Sequence, residues 1–376
     1  MRILVAPDKF KGTLSAAQAA EAIAAGLLLH DPTLAVTVQP LADGGEGTAE
    51  LLTQATNGQF FTATVADPLS RSVEARYGLS GDGSTAFVEM AEASGLHRLS
   101  TFERNPLRTS TFGTGELLRA VLDRNVRTIV LCIGGSATND GGTGLAAALG
   151  WEFRDEAGNA VEPVGGSLER IASVSDKNVD PRLRTVRILV ACDVDNPLYG
   201  PNGAAPVYGP QKGADAGMVE RLDHGLRQLA DVVAAHSGQD LAQEPGSGAA
   251  GGTGFGARVF LKAELQSGVA IVSQYLQLEQ KVRDADLILT GEGKIDSQTL
   301  SGKLIGGLTA LARQQQVPVA AFCGRLALSE AEVSQLGLVA ATAITPDGMR
   351  YDDAVRRAPM LLSAAAYAFI RNWVSS

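Results

Sequence analysis

Short runs of branched apolar residues alternate along the chain with longer stretches in which apolar positions recur every three or four residues. The short runs predict buried strands at residues 2–6, 35–38, 85–90, 127–133, 186–191, 286–290, 317–323 and 339–344. The longer periodic stretches predict helices at 15–29, 46–56, 115–124, 216–235, 258–266, 269–283, 302–315 and 352–373. Ser15 followed three residues later by Gln18 has the spacing of a capping box, which puts the first helix start at Ser15 and leaves 9–14 as a strand-to-helix loop. Strand–helix alternation of this kind predicts an α/β protein. Between residues 62 and 100 the texture changes: 62–65, 72–77 and 85–90 read as successive strands separated by turn signals, a hairpin pattern. Because βα alternation flanks it on both sides, the expected organisation is a discontinuous domain, residues 1–62 plus 275–376, with an α/β domain of mixed sheet, 63–274, inserted into it.

Length supports two domains, since 376 residues exceed the size at which one hydrophobic core usually stops growing. No apolar run approaches the roughly 20 residues of a membrane span. The opening apolar run reaches Pro7-Asp8-Lys9 too early for a signal-peptide core, so a cytoplasmic location is expected. A formal charge of −9 argues against nucleic acid as a partner. Cys132, Cys192 and Cys323 lie in or after apolar runs as small buried hydrophobes, and the four histidines lack metal-ligand spacing. Glycine is the informative excess: 43 residues, against a usual share of about 7 per cent, and clustered.

Four of the clusters follow apolar strands: Asp8 to Gly12, Gly134 to Gly142, Asp193 to Pro197 and Gly291 to Asp296. In open α/β sheets ligands sit beyond the carboxyl ends of the strands, where glycine lets backbone amides approach an anion, so a phosphate-bearing ligand fits. No P-loop is present, and the Gly-x-Gly-x-x-Ala match at 252–257 is not preceded by a strand pattern. Gly113-Thr114-Gly115 reads as a helix start presenting amides. Asp43, Asp140, Asp193 and Asp296 fit phosphoryl transfer, which needs carboxylates for Mg²⁺ and for the acceptor hydroxyl; each also fits a turn or helix cap. Lys11, Arg71, Lys212 and Lys294 each neighbour a glycine or turn signal and are candidate anion contacts. Glu89 and Glu92, at a strand end, fit a solvated helix start equally well.

Taken in order, these segments resemble the glycerate kinase family. The resemblance rests on Ala6 to Gly12, Ala42-Asp43-Gly44-Gly45-Glu46-Gly47-Thr48, Asn105-Pro106-Leu107 with 113–117, and residues 133–144. It continues through Ala191-Cys192-Asp193-Val194, residues 209–214, Gly251-Gly252 and Thr290 to Asp296. It departs at Lys9, where serine is expected in many relatives, and at 302–306, where a proline after the lysine is expected. The resemblance implies two α/β domains, one a Rossmann-like/flavodoxin-like parallel-sheet domain built from both termini, and ATP-dependent phosphorylation of D-glycerate to 2-phosphoglycerate in an interdomain cleft. Its cofactors would be ATP and Mg²⁺, and the chain could form a homo-oligomer. The site expected from motifs and resemblance together has Asp193, Asp296, Lys11 and Asp43 as catalytic groups. Asp8, Ser15, Arg71, Asn139, Asp140 and Lys212 are expected on the substrate, Gly134, Gly135, Ser136, Gly291, Glu292 and Gly293 on the nucleotide, and Asp43 with Asp193 on the metal. Residue types leave three alternatives open: a 3-phosphoglycerate product, a kinase for a larger sugar acid, and a non-catalytic sensor of sugar acid or nucleotide.

Overall fold

The strands of the computed structural model, which describes residues 1–300 and 304–375, are β1 (Arg2–Val5), β2 (Ala35–Val38), β3 (Gln59–Ala66), β4 (Ser72–Leu79), β5 (Thr85–Glu89), β6 (Thr128–Cys132), β7 (Glu152–Arg154), β8 (Ser173–Ser175), β9 (Arg187–Ala191), β10 (Glu264–Gln266), β11 (Leu287–Ile295), β12 (Val319–Leu326) and β13 (Ala340–Ala343). They fall into two compact units: residues 1–43 with 272–376, and residues 44–271. The first boundary lies earlier than 62/63 because the helix Thr48–Ala55 belongs with the second unit: its first amides bond to Glu89, at the end of β5.

In the first unit, the described strands form an all-parallel sheet in the order β13-β12-β11-β1-β2. Ile3, Leu4 and Val5 of β1 are at most 1 % exposed, as expected of a parallel strand covered on both faces. One covering layer pairs the alanine-rich helix Ala16–His30 with the long helix Tyr351–Trp373, and their small residues allow close approach: a Cβ at Gly26 would lie 2.1 Å from the Ser363 carbonyl. Ser15 and Gln18 make the expected reciprocal capping box, at 3.2 and 2.9 Å.

The second unit has a mixed sheet in the order β10-β9-β6-β5-β4-β3, antiparallel from β3 to β5 and parallel from β5 to β10. Its core packs Val88, Met90, Leu117, Ile129, Leu131 and Val190 between sheet and helices, and β7 and β8 form a separate small hairpin.

Four expectations change. Residues 258–266 are not one helix: a helix runs Ala249–Leu261, Lys262 turns the chain at φ 55°, and β10 follows. The stretch 269–283 is two helices, Gly268–Tyr275 and Leu278–Arg283, broken by the left-handed Gln277. The helix expected over 115–124 starts earlier, at Phe112, so Gly113-Thr114-Gly115 is a helix start, as expected, packed so closely that a Cβ on Gly113 or Gly115 would meet the Ala66 or Leu145 carbonyl. β11 extends to Ile295, so the segment expected as a loop at 291–296 is largely strand, hydrogen-bonded to β12 through Glu292↔Cys323 and Lys294↔Arg325. The helix expected over 302–315 is seen as Leu304–Gln314, and Gly302 and Lys303 lie outside the described residues. No helix among the described residues is long and apolar enough to cross a membrane.

Candidate functional site

The carboxyl ends of the first unit's strands surround a cavity of about 1060 Å³. β1 runs out into Asp8, whose amide donates to the Gly291 carbonyl (2.8 Å) and whose Oδ1 accepts the Lys9 amide (2.7 Å). The chain after β2 is drawn alongside by a bond from the Leu41 amide to the Pro7 carbonyl (2.9 Å), and this sets Asp43 near Asp8. Burial, reinforced by the negative charges of Asp43 and Glu292, pushes the Asp8 carboxyl up to about 7 against the opposing Lys9 amide bond. The crowding has a backbone cause. Gly293 lies so close to the first loop that a Cβ there would stand 3.1 Å from the Lys11 nitrogen. Gly293 thus packs against the loop while lining the cavity; Gly291, where a Cβ would stand 2.4 Å from the Phe322 carbonyl of β12, packs strand against strand and does not line it. Glu292 accepts the Thr299 hydroxyl (2.7 Å), while Asp296 pairs with Lys294 (2.6 Å). Lys11 also lines this side, and Ser15, its hydroxyl engaged in the helix cap, does not.

The opposite side of the cavity was not anticipated. Ile344, Thr345, Pro346 and Met349 follow β13, and Tyr351 and Val355 come from the start of the last long helix. A signal existed: Thr345-Pro346-Asp347-Gly348 is a turn directly after an apolar strand, the same grammar as the four segments singled out.

In the second unit a different group converges at the ends of β6 and β9. A Cβ on Gly44 would lie 2.7 Å from Gly268 Cα and 3.5 Å from Asp193 Oδ2, and one on Gly134 would lie 3.1 Å from Gly45 Cα. Asp193 Oδ1 accepts the Gly268 amide at 3.1 Å. The loops 44–47 and 134–136, the Asp193 carboxylate and the Gly268 turn are thus neighbours. Glu89 belongs to the same region: its Oε1 accepts the Gly47 and Ala49 amides, both at 2.9 Å. It is the capping carboxylate of the helix Thr48–Ala55, so Asp43 is not that cap and Glu89 is not a merely solvated residue.

Behind the glycine loop the side chains turn inward. Asp140 is fully buried and accepts from Thr111 N and Oγ1 (both 2.7 Å), Gly142 N (3.1 Å) and Gly144 N (3.2 Å). Burial pushes its carboxyl up, opposed by the Thr111 bonds and then those of the glycines. Lys212, 1 % exposed, donates to Ser136 Oγ (2.9 Å) and the Thr138 carbonyl (2.6 Å), and burial pulls its ammonium down to about 7 against the attraction of Asp140. Asn139 is likewise fully buried, with neither side-chain polar atom hydrogen-bonded to a described residue. Asn139, Asp140 and Lys212, expected on the substrate, therefore lie in the interior behind the Gly134–Ser136 backbone, where Asp140 holds Thr111 and the Gly142 and Gly144 amides, and Lys212 holds the Ser136 hydroxyl and the Thr138 carbonyl. Arg71 is also placed otherwise than expected: its guanidinium is held by Asp67 (2.5 Å), Glu103 (2.6 Å) and the Arg98 carbonyl. Among the described residues, no group of three or more His, Cys, Asp or Glu side chains is spaced to hold a metal by itself.

A family model described as the glycerate kinase family matches residues 3–374. The chain is 45 % identical to a glycerate kinase of Halalkalibacterium halodurans over all of its own length and 99 % of the relative. It is 43 % identical to a glycerate 2-kinase of Escherichia coli K12, over 95 % of this chain and 94 % of that one. A crystal structure from Salmonella typhimurium LT2, assigned as a glycerate kinase 2, superimposes with a TM-score of 0.89 at 42 % identity, covering the whole of this chain and 98 % of the other.

Proposed function

From the premise that the chain belongs to the glycerate kinase family, we propose that it transfers the γ-phosphoryl group of ATP to D-glycerate and releases 2-phosphoglycerate. The observation that carries this reading is the match, end to end and above 40 % identity, to relatives named for that reaction, one of them a 2-kinase. The acidic residues that fit phosphoryl transfer are all present in this chain: Asp8, Asp43 and Asp193 lie in the segments after β1, β2 and β9, and Glu292 lies in β11.

The carboxylates of the first unit fit a magnesium ion. Asp8 is held partly protonated by burial and by the charges of Asp43 and Glu292, a repulsion that a divalent cation would relieve. Magnesium commonly takes one or two carboxylates and completes its shell with water and substrate phosphate oxygens, so no all-protein cage is needed. Asp43 and Asp8 would hold it, and it would supply neutralisation of charge on the transferring phosphoryl group. Lys11, on the same wall, adds positive charge for phosphate oxygens, whereas the charge of Lys294 is already met by Asp296.

Glycerate presents a carboxylate and two hydroxyls. The backbone of Gly134–Ser136, beside Gly44 and Asp193, is our assignment for holding it, with amides toward the carboxylate. Asp193 is our choice to accept the hydroxyl proton, because Asp296 is committed to Lys294 at 2.6 Å. Coupling the reaction to enolase without phosphoglycerate mutase tests the product: immediate signal supports 2-phosphoglycerate, and a mutase requirement replaces it with the 3-isomer. ATP binding with no glycerate-dependent ADP release would favour a sensor. A panel of sugar acids ranked by kcat/KM would expose a larger preferred acceptor.

A further inference from the structure

The first unit's cavity is chemically two-sided, and the sheet order says how the sides are arranged. Asp43 follows β2, Asp8 follows β1 and Glu292 lies in the central β11; Ile344, Pro346 and Met349, with Thr345 and Asp347 between them, follow β13 at the opposite edge. With neighbouring strands ~4.8 Å apart, the three steps from β1 to β13 put the Asp8 end ~14 Å from the apolar wall, and the two from β11 put Glu292 ~10 Å from it. A three-carbon hydroxy acid cannot span that distance and has no apolar face to bury. A nucleoside triphosphate has both properties: a flat base at one end and, an extended chain away, phosphates that need cations. The cavity volume of about 1060 Å³ also suits such a ligand, being just above the ~300–1,000 Å³ range of small-molecule sites.

We infer that the nucleotide base is received by the β13 edge of the first unit, between the 344–349 turn and the Tyr351–Val355 start of the last long helix, with the triphosphate directed toward Asp8, Asp43 and Lys11. The base site is then built from a segment that carries none of the glycine motifs, and the Gly134–Ser136 loop is left to the acceptor. The assignment deepens the kinase reading and rests on it.

Photolabelling the full chain with 8-azido-ATP tests the placement directly. Label within residues 326–356, protected by unmodified ATP, is the expected result; protected label around residues 134–154 would overturn it. Kinetics provide a second reading. Val355→Trp fills the wall and should raise the KM for ATP tenfold or more, while the KM for glycerate at saturating ATP stays within twofold. A rise confined to glycerate, or no change in either constant, would refute the assignment. Should Val355→Trp fail to fold, Val355→Ala keeps the question open to the same two constants, with a severalfold rise for ATP expected. A wild-type chain that labels at 326–356 but makes no ADP with glycerate would defeat the kinase reading while leaving the nucleotide site standing. Glycerate-dependent turnover with label elsewhere would do the reverse.

Discussion

Replacing Asp8 with asparagine should make the folded protein more stable at neutral and alkaline pH. The carboxyl is pushed from 3.8 up to about 7, first by burial and then by Asp43. A shift of about three units at 1.36 kcal/mol each sets a ceiling of about 4 kcal/mol on the cost of ionising it in the folded state, of which about 2 kcal/mol would be recovered by a neutral amide that must itself stay buried. Asparagine can keep the bond from the Lys9 amide, because its Oδ1 occupies the accepting position. The sign follows from linkage. Asp8 has a raised folded pKa, so its stability is fully present below pH 3.8 and is lost as pH rises toward 7, where the folded carboxyl at last ionises. The variant's advantage should therefore be near zero at pH 4, grow between pH 4 and 7, and level off above. Urea denaturation of both proteins in EDTA, across pH 4.5 to 8.5, measures it. A difference between the two that does not change with pH, or a variant less stable at pH 8, would refute the reasoning. The same substitution should depress kcat, since the group that destabilises the fold is one we assign to the metal.

Asp193→Asn should leave the melting temperature nearly unchanged and lower kcat by about 10²-fold or more, the usual weight of a general base; an active variant moves that role elsewhere. Arg71→Ala should leave the KM for glycerate within twofold, because its guanidinium is taken up by Asp67 and Glu103; a tenfold rise would return Arg71 to the substrate. Asp140→Ala strips the acceptor from Thr111, Gly142 and Gly144 in a dry interior and should cost about 3 kcal/mol or more, read as a lower denaturation midpoint. Native-like stability there would mean that the donors find other partners.

What could be read in advance was whatever one stretch of chain decides by itself. Apolar runs such as Ile3-Leu4-Val5 and Ile129-Val130-Leu131 bury as strands because they have few other uses, and the Ser15 box closes within four residues. What escaped depends on partners remote in sequence. Glycine at 291 and 293 looks like a phosphate loop until the Phe322 carbonyl is seen against the first and the Phe10–Lys11 backbone against the second. Asp140 and Lys212 look like site residues because charged side chains next to glycine usually face solvent; here one is tied to Thr111 and the other to Ser136 and Thr138. Nothing near Glu89 announces that it caps a helix some 40 positions earlier. Of the candidate site, the acidic segments after the strands were legible; the β13 wall announced itself only by the Thr345–Gly348 turn, since apolar residues such as Ile344 and Val355 read as core wherever they fall.

The position of β1 also bears on how the protein comes into being. As the chain leaves the ribosome, β1 can pair with β2 at once, but its other neighbour, β11, begins at Leu287, and the helix that packs on Ala16–His30 begins at Tyr351. Residues 44–271 can close their own core in the meantime. β1 and the helix Ala16–His30 are thus secured later than the middle of the chain, and an alanine-lined face of that helix waits uncovered during synthesis. Early release of the nascent chain should therefore yield a folded middle carrying a sticky N-terminal arm, a natural substrate for chaperones and proteases.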